Sequence, residues 1–173
     1  MRESSYTLGA EPRWLDFVDP QYDSAPTVEA VAAAIAGLAR GTTTTVAPLG
    51  IWHRDHVFVA DACLLVFDDL RATHSLEGEW WLYADVPYRA LDGGRWLRRR
   101  LDVLAARRLE LEPLDAAARG SSPGPGGPEA APQAAKDAAL RCYDTQLRAL
   151  ASDSRLGLAD AAAPEQLWRL RAR

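Results

Sequence analysis

The sequence predicts an α/β domain with a mostly parallel sheet and flanking helices. Short segments rich in β-branched and aromatic residues alternate with longer segments whose apolar residues recur at helical spacing. Strands separated by such helices usually run parallel, because the helix crosses over the sheet and returns the chain in the same direction. The 173 residues suffice for a domain with a hydrophobic core. We therefore expect a single domain over residues 1–173.

Each element has a local signature. Thr27 is a favourable N-cap for the first helix, in which Val31 and Ile35 lie at helical spacing. A β-branched run that ends in an apolar stretch predicts the first strand, and Pro48 and Gly50 end it. The predicted elements are, in chain order, helix 27–40, strand 43–49, helix 55–72, strand 80–86, helix 95–106, strand 108–114, and helices 134–151 and 164–171.

Composition argues against several classes of protein. The formal net charge of −4 is unlike that of a general nucleic-acid binder. The longest apolar run, Val57 to Phe67, contains Asp61 and is too short to span a bilayer. The N-terminus has no signal-peptide pattern, and two cysteines do not make a disulfide framework. We expect a cytoplasmic protein with no nucleic-acid or membrane partner.

Two segments depart from a regular α/β pattern. Residues 120–132 are rich in Pro and Gly and predict a flexible surface loop. The chain opens with SYTLGAEPRWLDF, which has the character of a helix end leading into a short strand. Because α/β domains usually open with a strand, we expect a fold that is incomplete at its N-terminus.

A cluster of polar residues follows the first strand. His53, Asp55 and His56 come directly after the glycine turn, where ligands of open α/β sheets usually bind. His56 begins an apolar stripe on the second helix, so its side chain is expected to point toward the protein body. A histidine in that position is a candidate metal ligand. The stripe continues through Val59, Ala60, Cys63 and Phe67.

Each of these residues also has a structural interpretation. Asp55 has the side chain of a helix N-cap, and His56 could be a core histidine with one hydrogen bond. A lone His-x-x-His pattern is a weak motif, because most matches arise by chance. His74 lies at the C-terminal end of a predicted helix, where a histidine interacts favourably with the helix dipole. This interpretation explains His74 without a role as a ligand.

The wider sequence resembles the PIG-L/LmbE-like zinc-dependent N-deacetylases. The segment PLGIWHRDHVFVADA is similar to the family's second motif, a Pro-Leu-Gly turn followed by His-x-Asp-His and a helix. The similarity covers nearly the whole chain in family order, which a lone motif does not. Its other parts are LGAEPRWLDFVDPQY, WWLYADVPYR, Lys136 with the Tyr143 to Gln146 segment, in which threonine replaces the family's serine, and Glu165 with Trp168.

The resemblance implies a Rossmann-like fold and specific residue roles. His56 would be a Zn²⁺ ligand, and His53 would stabilise the oxyanion or protonate the leaving amine. Asp55 would orient His53, and Asp19 resembles a family aspartate near the substrate pocket. The implied reaction is zinc-dependent removal of an N-acetyl group from an N-acetylated sugar or glycoconjugate, with zinc activating water and polarising the carbonyl. Asp85 and Tyr88, in contrast, are interpreted as mainly structural.

The sequence departs from the family in its first metal motif. His-Pro-Asp-Asp-Glu, which supplies the other zinc ligands and the general base, does not occur, and Arg54 replaces a residue that is commonly proline or serine. Catalytic zinc needs three protein ligands. A truncated and inactive enzyme, a decayed remnant, and a non-catalytic homologue that binds a glycan or a protein all stay open. An unpaired sheet edge left by a missing strand would favour a homo-oligomer.

Overall fold

The computed structural model describes residues 5, 7–18, 25–86, 88–114, 132–151 and 165–172. They form a mixed α/β fold with an open four-stranded sheet and flanking helices. The elements are α1 (Val28–Ala39), β1 (Thr44–Pro48), α2 (Arg54–Ala72), β2 (Glu79–Tyr83), a 3-10 turn (Tyr88–Ala90), α3 (Leu91–Ala106), β3 (Leu109–Leu114), α4 (Pro132–Arg141), α5 (Asp144–Ala151) and β4 (Leu167–Ala172).

The sheet has the order β1-β2-β4-β3, and β4 runs antiparallel to both of its neighbours. Only β1 and β2 pair in parallel. The prediction of a mostly parallel sheet is therefore wrong, although the three predicted strands lie at the expected positions. The C-terminal strand changes the pattern by entering between β2 and β3, which themselves point in the same direction as β1.

The prediction of a helix at 164–171 is wrong, because Leu167–Ala172 form the strand β4. Leu170 and Trp168 face the core, while Arg169 and Arg171 alternate with them on the other face. Arg169 contacts Glu79 at 2.9 Å, and Arg171 contacts Glu112 at 3.0 Å. Pairing with β2 and β3 gives the backbone N–H and C=O groups of this segment hydrogen-bond partners. This gain outweighs the helical propensity of the Leu, Arg and Gln residues.

The core lies on one face of the sheet. Trp80 and Leu82 of β2 are buried, whereas Trp81 and Tyr83, which alternate with them, are half-buried. Helix α2 covers the buried face, and its Phe67 ring meets the Trp80 ring edge-on at 5.7 Å. This two-layer arrangement agrees with the alternation of apolar and charged residues in β3 and β4.

The helices follow the sequence signals with two adjustments. Thr27 Oγ1 accepts a hydrogen bond from the Ala30 N–H and caps α1, as predicted. Residues 92–94 of α3 have left-handed backbone angles, so the regular helix covers the predicted 95–106. The helix predicted at 134–151 is divided into α4 and α5 by a turn at Cys142 and Tyr143.

Two further expectations concern the surface and the solvent environment. The loop predicted at 120–132 falls almost wholly outside the described residues.

Within the described part of the chain, every helix is too short or too polar to cross a lipid bilayer. Cys63 is buried and Cys142 half-buried, and both are free thiols.

Candidate functional site

The site is built where the carboxyl ends of β1 and β2 meet. The Leu49 N–H donates to Tyr83 O at 2.8 Å and continues the parallel pairing past the end of β1. Arg100 of α3 donates to Leu49 O, and its guanidinium also contacts Asp61 of α2, each at 2.8 Å. This partly buried arginine connects the loop after β1 to α2 and α3.

Gly50 allows the loop to pass close to α2. It has a φ of +82°, and a Cβ atom there would lie 2.7 Å from Ala60 Cβ and 3.0 Å from Val57 Cα. Other residues rarely adopt this backbone conformation, and any side chain would meet the helix. The Pro-Leu-Gly turn therefore packs directly against the N-terminal part of α2, which places His53 and His56 beside the end of β1.

Asp85, directly beyond β2, is the anchor of the site. Its side chain is fully buried, and its Oδ2 accepts hydrogen bonds from the Gly50 and Ile51 N–H groups at 2.8 Å each. Its Oδ1 lies 2.6 Å from His56 Nδ1. Because a carboxylate accepts, Nδ1 carries the donated proton, and neutral His56 keeps the lone pair on Nε2. Nε2 is the atom available to a metal ion or a substrate proton.

His53 is the N-cap of α2. Its Nδ1 accepts from the Asp55 N–H at 3.4 Å and lies 3.8 Å from Asp55 Oδ2. The interpretation of Asp55 as the N-cap is therefore wrong, and Asp55 lies within reach of His53 on the exposed first turn. With its Nδ1 accepting, neutral His53 carries its proton on Nε2, where it is a hydrogen-bond donor.

Tyr88 joins the two histidines into one cluster. Its ring stacks on His53 with centroids 5.8 Å apart and meets His56 edge-on at 5.2 Å, while Trp52 lies 5.1 Å away on another side. Burial, followed by the negative charges of Asp85 and Asp55, raises the pKa of the Tyr88 phenol, so it stays protonated at neutral pH.

The structure brings His53, Asp55 and His56 together, as the sequence predicts. The two histidines are buried to a similar extent, since 39% of the His53 side chain and 35% of the His56 side chain are exposed. The stripe beyond His56 is buried at Ala60, Cys63 and Phe67, but Val59 is exposed.

The other candidates lie elsewhere. Asp19 falls outside the described residues. His74 follows the C-cap of α2 with a φ of +53° and donates its N–H to Arg71 O, which agrees with the interpretation as a helix-terminal residue. It lies at the opposite end of a 19-residue helix from His53.

Sequence reasoning missed the partnership of Asp85 with His56. Asp85 is structural, as expected, because it holds the Gly50–Ile51 loop, but it also orients a candidate ligand. A signal was present: Asp85 lies at the carboxyl end of the predicted strand 80–86, and His56 comes shortly after the predicted strand 43–49. The carboxyl ends of parallel strands meet at one edge of a sheet.

The described residues only partly fit a zinc site. An imidazole oriented by a buried carboxylate is the usual arrangement of a histidine ligand. However, no group of three or more His, Cys, Asp or Glu side chains within the described residues could hold a metal ion. These residues therefore supply one oriented candidate ligand and do not complete a three-ligand site.

Comparisons with known proteins add no family assignment. No family model, no curated protein and no solved structure matches this chain.

Proposed function

We propose that the chain is a PIG-L/LmbE-like domain whose complete form removes the N-acetyl group from an N-acetylated sugar or glycoconjugate. The observation that supports this most strongly is the His56–Asp85 pair, because it leaves His56 Nε2 free as a ligand at a strand end. We further propose that the sheet derives from a Rossmann-like one, since β1, β2 and β3 share one direction. The free thiols of Cys63 and Cys142 support a reducing, cytoplasmic location.

The residues present could act on an amide in two ways. His53 Nε2, as a donor, could stabilise an oxyanion or protonate a leaving amine, as the family resemblance implies. His56 could contribute one ligand to Zn²⁺, which when bound would activate water. Because the described residues do not complete a metal site and the sequence has no His-Pro-Asp-Asp-Glu motif, we expect the 173-residue chain to be inactive.

A zinc titration tests the proposed ligand. We expect weak zinc binding by the chain, measured by calorimetry, and a further loss in His56→Ala. Asp85→Asn should weaken binding by about tenfold or more, because it removes the carboxylate that orients the imidazole. His74→Ala is the matched control and should bind as the unaltered chain does. Tight stoichiometric zinc that survives His56→Ala would show that the ligands have been misassigned.

The reaction is tested with a longer gene product. The DNA upstream of the Met1 codon is examined for an in-frame His-Pro-Asp-Asp-Glu motif. If it is present, a protein that includes it should release acetate from N-acetylglucosamine derivatives, and His56→Ala should abolish this release. A stop codon directly upstream would contradict the truncated-enzyme proposal.

A non-catalytic interaction domain is the second candidate. The strand β1 lies at one edge of the sheet, and residues 42–47 carry no charge that would discourage pairing with another chain. Val46 on this strand is 52% exposed. This candidate predicts a concentration-dependent homo-oligomer in sedimentation experiments, which Val46→Lys should dissociate, and saccharide binding that needs no zinc.

A further inference from the structure

A cavity of about 600 Å³ lies beside the histidine site, between α1, the first two turns of α2 and the N-terminal segment. Apolar side chains line it except at Arg54 and Asp55. Its volume is within the range of small-molecule sites, which are typically apolar with a few polar groups at one end. Leu15, Phe17, Val18, Phe58 and Val59 contribute to the apolar lining.

The apolar side chains around the cavity are unusually open to water. Phe17, Val18 and Val59 are each more than one-third exposed, as is Leu15 beside them. Partly exposed large apolar residues that converge on one concavity mark a binding site more often than a packing fault. The same geometry explains why Val59 departs from the buried stripe of α2: it faces this cavity.

The polar end of the cavity is shared with the histidine site. Asp55 lines the cavity, and its Oδ2 lies 3.8 Å from His53 Nδ1. The cavity therefore extends along α2 from Asp55, past Phe58 and Val59, away from the histidines. A ligand that filled it would have an apolar chain inside and a polar group at His53.

We propose that the cavity binds the acyl chain of an N-acyl sugar, with a chain longer than acetyl and the amide placed at His53. The sugar and amide parts of this ligand rest on the proposed function, whereas the acyl chain rests on the cavity alone. Arg54, at the same end, offers a positive charge to polar substituents of the head group. An apolar concavity of this volume with charged residues in its lining favours an amphipathic small molecule over a flat protein surface.

The test measures binding by calorimetry to the chain as it exists, with three probes: N-acetylglucosamine, N-octanoylglucosamine and octanoic acid. N-octanoylglucosamine should bind about a hundredfold more tightly than N-acetylglucosamine, because its additional methylenes leave water. Val59→Asp should weaken N-octanoylglucosamine binding by about tenfold or more and leave N-acetylglucosamine binding unchanged.

The control is Leu65→Asp on the same helix. Leu65 is 39% exposed, close to the 37% of Val59, but it does not line the cavity. It should leave all three affinities unchanged. If Val59→Asp does not fold by circular dichroism, Val59→Phe narrows the cavity without adding charge and should also weaken octanoyl binding.

Three results separate the ideas. Equal affinities for N-octanoylglucosamine and N-acetylglucosamine overturn the acyl site, as does an equal loss in Val59→Asp and Leu65→Asp. Octanoic acid binding that Val59→Asp removes, with no gain from the attached sugar, supports the acyl site and overturns the sugar specificity of the proposed function. A dimer that Val59→Asp dissociates, with no octanoyl binding, overturns the small-molecule occupant.

Discussion

His56 and His53 lie three residues apart on the same helix, but the fold holds them in different ways. His56 is bound to Asp85, a fully buried carboxylate that also accepts two backbone N–H groups from the loop after β1. His53 caps the helix through a longer contact to the Asp55 N–H and has a half-exposed carboxylate nearby. The comparison shows one histidine positioned by tertiary structure and one positioned by the local chain.

The largest loss of stability is expected when Asp85, the carboxylate that holds His56, is removed. Asp85→Ala should lower the free energy of unfolding by about 3–5 kcal/mol, because it leaves the buried Gly50 and Ile51 N–H groups without an acceptor. Asp85→Asn keeps an acceptor and should cost less. Chemical denaturation measures both changes. Asp69→Ala, an exposed aspartate on α2, is the control and should change stability by no more than about 0.5 kcal/mol. A small loss in Asp85→Ala would show that the loop does not depend on this carboxylate.

An intermediate effect on stability is expected from Cys63, which lies on the buried face of α2 that continues from His56. Burial raises the pKa of the Cys63 thiol from 9.0 to about 11. The unfolded thiol therefore releases its proton first as pH rises, so stability is complete below pH 9 and declines toward pH 11. The expected loss is about 2–3 kcal/mol. Denaturation curves across this range measure it.

The control for this prediction removes the thiol. Cys63→Ala should remove the decline between pH 9 and 10 and make it less steep between pH 10 and 11, whereas Cys142→Ala should retain the full decline. The pKa of Tyr83, raised to about 12 by burial and then by Asp85, should leave a further decline above pH 10 in both variants. A steep profile that Cys63→Ala leaves unchanged would indicate that water reaches this thiol.

The smallest change in stability is expected when Asp55, the exposed carboxylate beside His53, is removed. Asp55→Ala should change the free energy of unfolding by less than about 1 kcal/mol, because an exposed ion pair contributes little and the helix keeps its His53 cap. Nuclear magnetic resonance of the imidazole signals should show a larger change at His53 than at His56. A stability loss comparable to that of Asp85→Ala would remove the distinction between the two histidines.

The local parts of this site were predictable from sequence. The strand near 43–49, the glycine turn and the helix predicted at 55–72 follow from short patterns of β-branched residues, Gly and periodic apolar residues, although the N-cap is His53 and not Asp55. The contact between Asp85 and His56 was not predicted, although Asp85 was placed near the end of one strand and His56 at the start of the helix that follows another. It joins positions 29 residues apart and depends on the register in which β1 and β2 pair.

The sequence by itself determined where most elements lie, because capping, turn formation and helical periodicity depend on neighbouring residues. Tertiary structure alone decided that Leu167–Ala172 is a strand between β2 and β3, since its alternating residues suit either a strand or a short helix. It also decided which histidine is anchored. Both outcomes rest on hydrogen bonds and burial between distant segments, whose energies no local pattern contains.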